Sequence, residues 1–297
     1  MAFLHAPASR PPMKKLALLA LAFLATSTLA DAQALDGRLK KIAASKTIAI
    51  AYRSDAMPFS FLDGDKQPAG YTIDLCKRVA TLIESQLGVK DLRIKWVPVT
   101  SQSRFDAVAK GEADLECGSS TVTLARLKQV DFSSFTFVDG TGLLANRSSG
   151  TRTMADIAGK RVAVVAGTTN ERVVTEIDKR RTLGLKIVAM KSRDEAFAAL
   201  EEGKVDAFAS DKLLLVGSAV NAKDSKALIL LPEDLSFEPY AIGLPRGDAG
   251  LRLAVNGALA RIYRDGEIVS IFNKWFGKFG EPTPLMRAMF IFGTLPE

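Results

Sequence analysis

Polar side chains suited to binding a small charged molecule stand directly after predicted β-strands. The predicted strands are short apolar runs, and a basic, hydroxyl or acidic residue follows each run or lies in the loop behind it. Three arginines, several hydroxyl side chains and one aspartate occupy such positions: Arg53, Ser101, Arg104, Ser119, Thr121, Arg126, Thr168, Thr169 and Asp211. Because ligands bind outside the carboxyl ends of the strands in open α/β sheets, these residues are candidates for one binding site.

The residue types indicate which ligand such a site would take. Arginine guanidinium groups hold carboxylates through two parallel hydrogen bonds, and hydroxyls and backbone N–H groups at helix starts also favour anions. Asp211 is suited to an ammonium group. Taken singly, Arg53 and Arg104 are also typical of an exposed surface, and Thr168, Thr169 and Asp211 are also typical of helix N-caps. Their joint placement favours a site for a small zwitterion with excess negative charge.

Two similar blocks of alternating strands and helices must position these residues. The predicted strands are 47–52, 92–97, 113–117, 161–165, 185–189, 206–209 and 240–244. The predicted helices are 72–87, 102–110, 124–129, 170–181, 194–202, 212–220, 250–265 and 267–275. The alternation predicts an α/β fold with mainly parallel sheets covered by helices. Its repetition at 47–117 and 161–209 predicts two lobes with a ligand cleft between them.

The composition excludes several kinds of chemistry. The single histidine is His5, close to the N-terminus, so the remaining chain has no histidine for a catalytic triad or a metal site. Neither a C-x-x-C pair nor a glycine-rich phosphate-binding motif is present, so we expect no zinc site, no nucleotide and no other cofactor. The formal net charge is +7, but the basic residues are scattered, which argues against a nucleic-acid partner.

The N-terminus has the residue order of a secretory signal peptide. A pair of lysines precedes an apolar run at 16–25, and an A-D-A step ends at Ala32. The run is too short for a membrane-spanning helix, which needs about 20 apolar residues. We therefore predict a signal peptide over residues 1–32, or from Met13 if translation starts there. Cleavage after Ala32, with Ala34 as the alternative, would release the protein into the periplasm.

A set of motifs extends the strand-end pattern over most of the chain. These are M-P-F-S-F at 57–61, G-Y-T-I-D-L at 70–75, T-S-Q-S-R at 100–104, D-L-E-C-G-S-S-T at 114–121, A-G-T-T at 166–169 and the closing Y-R-D-G-E-I and N-K-W-F. In these motifs the chain resembles the periplasmic polar amino-acid-binding proteins of ABC importers. The T-S-Q-S-R and E-C-G-S segments resemble the glutamate/aspartate-binding branch of that family.

The resemblance implies how the α-carboxylate of an amino acid would be held. In that family an arginine, a serine and a threonine cradle this group, and by position they are Arg126, Ser119 and Thr121. The second lobe would add Thr168 or Thr169.

The resemblance also implies partners for the other charges of the ligand. The ammonium partner of the family falls on Asp211. In the acidic branch, arginines that hold the side-chain carboxylate fall on Arg53 and Arg104, with Ser101 nearby. The branch has His at the position of Arg193. An arginine there keeps the attraction to a carboxylate, and its longer reach could alter the choice between glutamate and aspartate.

The fold implied by the resemblance is the type II periplasmic binding fold, with two α/β lobes joined by a two-strand hinge. The first lobe would comprise residues 35–139 and 242–297, and the second lobe residues 140–241. Because the chain crosses twice between the lobes, closure around the ligand becomes the functional motion. The protein would be a monomer, and a membrane ABC permease would recognise its closed form.

Two other functions fit the same fold. A periplasmic enzyme similar to cyclohexadienyl dehydratase would need a general acid or base in the cleft, and Glu116 and Glu238 are the candidates. A binding protein for a neutral polar amino acid, such as glutamine or asparagine, is the other alternative. Relatives with neutral or cationic ligands often place an aromatic ring at the position of Ala56. The small side chain of Ala56 argues against such ligands for this chain.

The two cysteines, Cys76 and Cys117, are candidates for a disulfide bond. Cys76 lies early in a predicted helix and Cys117 ends a predicted strand of the same lobe, and export would place both in an oxidising compartment. The alternative is a pair of buried thiols, since free cysteine is among the most buried residues.

Overall fold

The computed structural model describes residues 37–296, and within them the α/β fold predicted from the sequence is confirmed. The helices are α1 Gly37–Ser45, α2 Tyr71–Leu87, α3 Arg104–Ala109, α4 Thr169–Arg181, α5 Arg193–Glu201, α6 Lys212–Val220, α7 Ala249–Arg264, α8 Glu267–Phe276 and α9 Pro284–Phe292. The strands are β1 Thr47–Arg53, β2 Asp55–Ala56, β3 Ser60–Leu62, β4 Pro68–Ala69, β5 Arg93–Val99, β6 Leu115–Glu116, β7 Asp131–Asp139, β8 Thr141–Asn146, β9 Arg161–Val165, β10 Lys186–Met190, β11 Ala207–Asp211, β12 Leu228–Leu230 and β13 Glu238–Leu244. The predicted signal peptide lies outside the described residues.

Two five-stranded sheets form the cores of two lobes. The sheet of the first lobe has the order β5-β1-β6-β13-β7, and the sheet of the second lobe has the order β10-β9-β11-β8-β12. In each sheet the first three strands are parallel, and the last two strands are antiparallel to their neighbours. The chain passes from β7 of the first sheet directly into β8 of the second sheet, and it returns to the first sheet at β13.

The expectation of mainly parallel sheets needs correction, because the sequence pattern missed strands β7, β8 and β12. The strand expected at 113–117 is reduced to Leu115–Glu116, and the helix expected at 124–129 is a short 3₁₀ turn at Arg126–Lys128. Pairing of β13 with β7 begins at Glu238, earlier than the return at residue 242 expected from the sequence.

The first lobe is held together by an aromatic cluster at the end of the sheet where the chain crosses. The ring of Phe59 lies 4.9 Å from that of Phe137 and 5.2 Å from that of Tyr240. Tyr71 of α2 and Phe276 of α8 complete the cluster, with 5.4 Å between their rings. Because Phe137 and Tyr240 belong to β7 and β13, this packing fixes the two strands that lead to the second lobe.

The second lobe buries both faces of its sheet. Val162 and Val164 of β9 pack in one apolar cluster, while Ala163 and Val165 pack in another. A strand covered on both faces reads as a continuous apolar run, which is why R-V-A-V-V at Arg161–Val165 was recognisable from the sequence.

A disulfide bond joins α2 to the segment after β6, with 2.08 Å between the Sγ atoms of Cys76 and Cys117. Among residues 37–296, no helix is both long enough and apolar enough to cross a membrane.

Candidate functional site

The carboxyl ends of β1, β5 and β6 bring buried arginines and hydroxyls to one edge of the first sheet. Arg53 ends β1, and Ser101 and Arg104 follow β5. Their exposed fractions are 1% for Arg53, 2% for Ser101 and 3% for Arg104. Ser119, behind β6, is also buried. Arginines at the surface would keep their guanidinium groups in water, so the surface interpretation of Arg53 and Arg104 is wrong.

Arg104 is buried without a protein acceptor. No hydrogen bond or ion pair of its guanidinium group occurs within residues 37–296, and its Nε atom is fully enclosed. The group instead stacks over Phe105, with 4.8 Å between Cζ and the ring centroid. Burial lowers the pKa of Arg104 to about 10, and the neighbouring Arg126 contributes in the same direction. The guanidinium group of Arg104 therefore has hydrogen-bond donors to offer a ligand.

Arg126 also lies close to Phe105, with 5.1 Å between its Cζ atom and the ring centroid. Its Nη1 atom donates a hydrogen bond of 2.7 Å to the carbonyl oxygen of Thr121. Burial lowers the pKa of Arg126, and the carboxylates of Glu238 and Glu116 act against this shift. One side of the guanidinium group is thus fixed, and its remaining donors are available.

Asp55 connects arginines from the two lobes and was not anticipated from the sequence. Its Oδ1 atom accepts a hydrogen bond of 2.6 Å from Arg53, and its Oδ2 atom accepts one of 2.9 Å from the backbone N–H of Arg193 at the start of α5. Burial alone would raise the pKa of Asp55, but Arg193 and Arg53 hold this pKa below its ordinary value. Burial also lowers the pKa of Arg53 to about 10, although the charge of Asp55 opposes this change.

Arg193 is largely satisfied by protein partners. Its Nη1 atom donates to the carbonyl oxygen of Asp55 at 3.1 Å, and its Nε and Nη2 atoms donate to Ser210 Oγ at 3.4 and 3.3 Å. This arrangement differs from the expected contact with a ligand carboxylate, because Arg193 bridges the lobes with most of its donors already engaged.

The threonines that open α4 have separate tasks. The hydroxyl of Thr168 accepts a hydrogen bond of 3.2 Å from Glu171 N and donates one of 2.7 Å to Val165 O, so it caps the helix. Thr169 instead donates its hydroxyl proton to Glu238 at 2.7 Å. The N-cap interpretation therefore holds for Thr168, and Thr169 belongs to a polar network of the site.

Glu238, the first residue of β13, accepts hydrogen bonds from hydroxyl groups of several elements. Its Oε2 atom accepts from Thr121 at 2.6 Å as well as from Thr169, and its Oε1 atom accepts from Thr141 at 3.2 Å and Ser236 at 2.5 Å. A hydroxyl has a single proton to donate. The roles expected for Thr121 and Thr169 therefore change, because their protons go to Glu238 and their oxygens present lone pairs to other groups.

Asp211 ends β11 and is 4% exposed. Its Oδ1 atom accepts a hydrogen bond of 2.7 Å from Asn170, and its side chain does not cap α6. Burial and the nearby Glu238 raise the pKa of Asp211. A cationic group beside Asp211 would relieve both effects, so the position suits an ammonium group.

Glu116 lies in β6 and is completely buried, with no hydrogen bond to either carboxylate oxygen in the described part of the chain. A Cβ atom at Gly118 would collide with Oε1 of Glu116, so a larger residue there would require this carboxylate to move. Glu116 contributes negative charge near Arg104 and Arg126.

Further contacts join the two lobes. Gln102 Nε2 donates to the carbonyl oxygen of Lys191 at 3.5 Å. Gly217 of α6 approaches Met57 so closely that a Cβ atom would collide with the Met57 carbonyl oxygen. A cavity of about 360 Å³ beside this contact is lined by α6 residues and by Trp275 of α8. The structure is therefore a closed arrangement of the two lobes.

The site combines guanidinium, hydroxyl and carboxylate groups. Within residues 37–296, no group of three or more His, Cys, Asp and Glu side chains is placed to hold a metal ion. Two α/β lobes that close on a charged cleft define a solute-binding protein of the type II periplasmic fold.

Comparison with known proteins agrees with this class. Residues 48–278 match the bacterial extracellular solute-binding proteins, family 3, and the chain belongs to this family. The L-glutamate/L-aspartate-binding protein of Pseudomonas aeruginosa is 36% identical over 256 residues, which cover 86% of this chain and 84% of that protein. The glutamate/aspartate import solute-binding protein of Escherichia coli is 32% identical over 262 residues, covering 88% and 87%.

A solved structure of an ancestral arginine-binding protein bound to arginine has the same fold. It superimposes with a TM-score of 0.71 at 28% identity and covers 78% of this chain and 99% of the other. The family and the fold expected from the sequence motifs are confirmed. Because the relatives are binding proteins, the alternative of a dehydratase-like enzyme is not supported, and the protein is a non-enzymatic binding protein.

Proposed function

We propose that the protein is a periplasmic solute-binding protein that captures glutamate or aspartate between its lobes and delivers it to an ABC permease. The observation that carries this proposal is Arg104, whose guanidinium group is 3% exposed and has no acceptor within residues 37–296. A buried guanidinium group whose donors have no hydrogen-bond acceptor is costly, although the charge of Glu116 lies nearby. A second carboxylate on the ligand supplies the missing acceptor, and a neutral side chain does not.

The remaining charges of an acidic amino acid also find partners. Arg126 retains donors for the α-carboxylate. Ser119, which is buried and follows β6 in the chain, acts with Arg126 on the same group. Asp211 takes the ammonium group, joined by the lone pairs of Thr121. Arg53 and Ser101 act with Arg104 on the side-chain carboxylate. The names of the Pseudomonas aeruginosa and Escherichia coli relatives, which refer to glutamate and aspartate, support the same ligand class.

The proposal includes the cellular setting expected from the sequence. Residues 1–32 serve as a cleaved signal peptide, and the family description as extracellular solute-binding proteins supports export. The mature protein acts as a monomer, with one lobe formed by residues 35–139 and the chain from β13 onwards, and the other lobe formed by the chain between them. Ligand that contacts both lobes favours the closed form, which the permease then recognises.

Calorimetric titration of the purified protein with glutamate, aspartate, glutamine, arginine and histidine tests the proposal. We expect glutamate and aspartate to bind more tightly than the other three. Glutamine keeps the shape of glutamate but lacks the charge needed by Arg104, so its affinity should be far lower. Tighter binding of glutamine or of a basic amino acid than of both acidic ones would overturn the ligand assignment.

A further inference from the structure

Glu238 joins the two lobes through hydroxyl groups, and none of the sequence motifs pointed to this role. Thr121 follows β6 of the first sheet and forms a β-bridge with Tyr240, whereas Thr169 begins α4 of the second lobe. Both hydroxyls donate to the same oxygen of Glu238, at 2.6 and 2.7 Å. Distances in this range are typical of charge-assisted O–H···O⁻ hydrogen bonds.

The network extends from Glu238 to the proposed ammonium partner. The Nδ2 group of Asn170 donates to Thr141 Oγ1 and to Asp211 Oδ1, each at 2.7 Å. Thr141 in turn donates to Glu238 at 3.2 Å. The two donors of Asn170 are thus used within the network, and the orientation of the Asp211 carboxylate depends on contacts that end at Glu238.

The direction of the hydroxyl protons decides which ligand group these threonines favour. With both protons directed to Glu238, the Thr121 and Thr169 oxygens offer only lone pairs elsewhere. Lone pairs attract an ammonium group and repel a carboxylate. If Glu238 were uncharged, the hydroxyls would be free to turn their protons toward the ligand.

We propose that Glu238 is a positioning residue that orients one hydroxyl from each lobe as an acceptor for the ammonium group of the ligand. This inference rests on the proposed function, in that the ligand is an α-amino acid. It does not depend on the ligand side chain, because every α-amino acid carries the same ammonium group. Glu238 acts through Thr121, Thr169 and Asp211 and contacts no ligand group itself.

Glu238→Gln removes the charge and replaces one carboxylate oxygen by an N–H donor. We expect glutamate affinity to fall roughly 10- to 100-fold, since charge-assisted hydrogen bonds that position the acceptors are lost. Glutarate, which is glutamate without the ammonium group, should lose much less affinity when it is measured by competition. Equal losses for glutamate and glutarate would show a merely structural role and overturn the inference.

A matched pair at Thr169 gives an independent test that leaves Glu238 in place. Thr169→Val removes the hydroxyl at nearly constant volume, whereas Thr169→Ser retains it. We expect Thr169→Val to weaken glutamate severalfold more than glutarate, and Thr169→Ser to bind glutamate like the wild type. Equal affinity of the Val and Ser variants for glutamate would overturn the role of this hydroxyl.

The experiments distinguish a failure of the proposed ligand class from a failure of the role proposed for Glu238. If the wild type prefers glutamine, the acidic ligand class is wrong, and the same variants are then titrated with glutamine and its deaminated analogue. A selective loss of the amino acid in that series would still support the role of Glu238. Thermal melting of each variant, followed by circular dichroism, establishes that the compared proteins are folded.

Discussion

Replacement of Arg104 by methionine removes the one buried guanidinium group of the site that has no protein acceptor in the described chain. Methionine fills similar space beside Phe105 but carries neither the charge nor the donors. A glutamate bound to this variant would keep its α-carboxylate and ammonium contacts. Its side-chain carboxylate would be buried with one partner fewer.

The size of the loss follows from the burial of Arg104, which is 3% exposed and therefore poorly screened by water. Removing one member of such a buried charge pair typically costs about 2–5 kcal/mol. Because about 1.4 kcal/mol corresponds to a tenfold change in affinity, Arg104→Met should weaken glutamate binding by roughly 30-fold to a few thousandfold. Glutamine, which offers no charge to Arg104, should lose much less.

Isothermal titration calorimetry on the wild type and three variants measures these effects. Arg126→Met should weaken every amino acid, because we assign Arg126 to the α-carboxylate. Arg252→Met is the control, since Arg252 is an exposed arginine of α7 and its loss should leave all affinities unchanged. If Arg104→Met weakened glutamate and glutamine by the same factor, the assignment of Arg104 to the side-chain carboxylate would be refuted.

Three further predictions concern processing, the disulfide bond and pH. Mass spectrometry of the protein from its native host should find a new N-terminus between Asp31 and Leu35; an intact start in the envelope fraction would contradict the signal peptide. Thiol titration of denatured, unreduced protein should find no free thiol from Cys76 and Cys117, and two reactive thiols would exclude the bond. Because the two cysteines are 41 residues apart, reduction should lower the free energy of unfolding by about 3–4 kcal/mol. Burial and the neighbouring Asp211 raise the pKa of Asp139 in the folded protein to about 7. In the unfolded chain this pKa lies at about 4. The contribution of Asp139 to folding stability is therefore complete below about pH 4 and is lost as the pH rises to about 7. Urea unfolding from pH 4 to 8 should therefore show the free energy of unfolding falling more steeply for the wild type than for Asp139→Asn. An equal fall in both proteins would contradict a role of Asp139 in this pH dependence.

Strands and helices with one simple pattern could be predicted from the sequence, whereas β7, which leads from the first lobe to the second, could not. Strand β9 is a continuous apolar run because both of its faces are covered. Strand β7 buries Ser133 and Thr136 while it exposes Phe135, so its apolar and polar residues do not alternate as expected. Its pairing with β13 also shifts register twice, which interrupts the pattern further.

The strand-end rule identified buried residues of the site but not their partners. Arg53 and Arg104 could be predicted because each follows its strand directly or through a short loop. Asp55 was missed, and Glu238 was considered only as a general acid or base of an enzyme. Their roles depend on Arg193 and on hydroxyls that are far away in sequence. A sequence pattern of local spacing carries no information on such contacts.

The cavity beside Gly217 has a consequence for optical measurements. Trp275 is one of two tryptophans in the chain, and it faces α6 of the second lobe across this cavity while its indole N–H donates to Asp74 at 2.9 Å. Trp96 packs instead against Tyr52 within the first lobe, with 6.0 Å between the rings. Movement of α6 away from α8 would increase the exposure of the Trp275 indole to water and leave that of Trp96 unchanged. Intrinsic fluorescence of a Trp96→Phe protein therefore offers a label-free signal for the opening of the cleft.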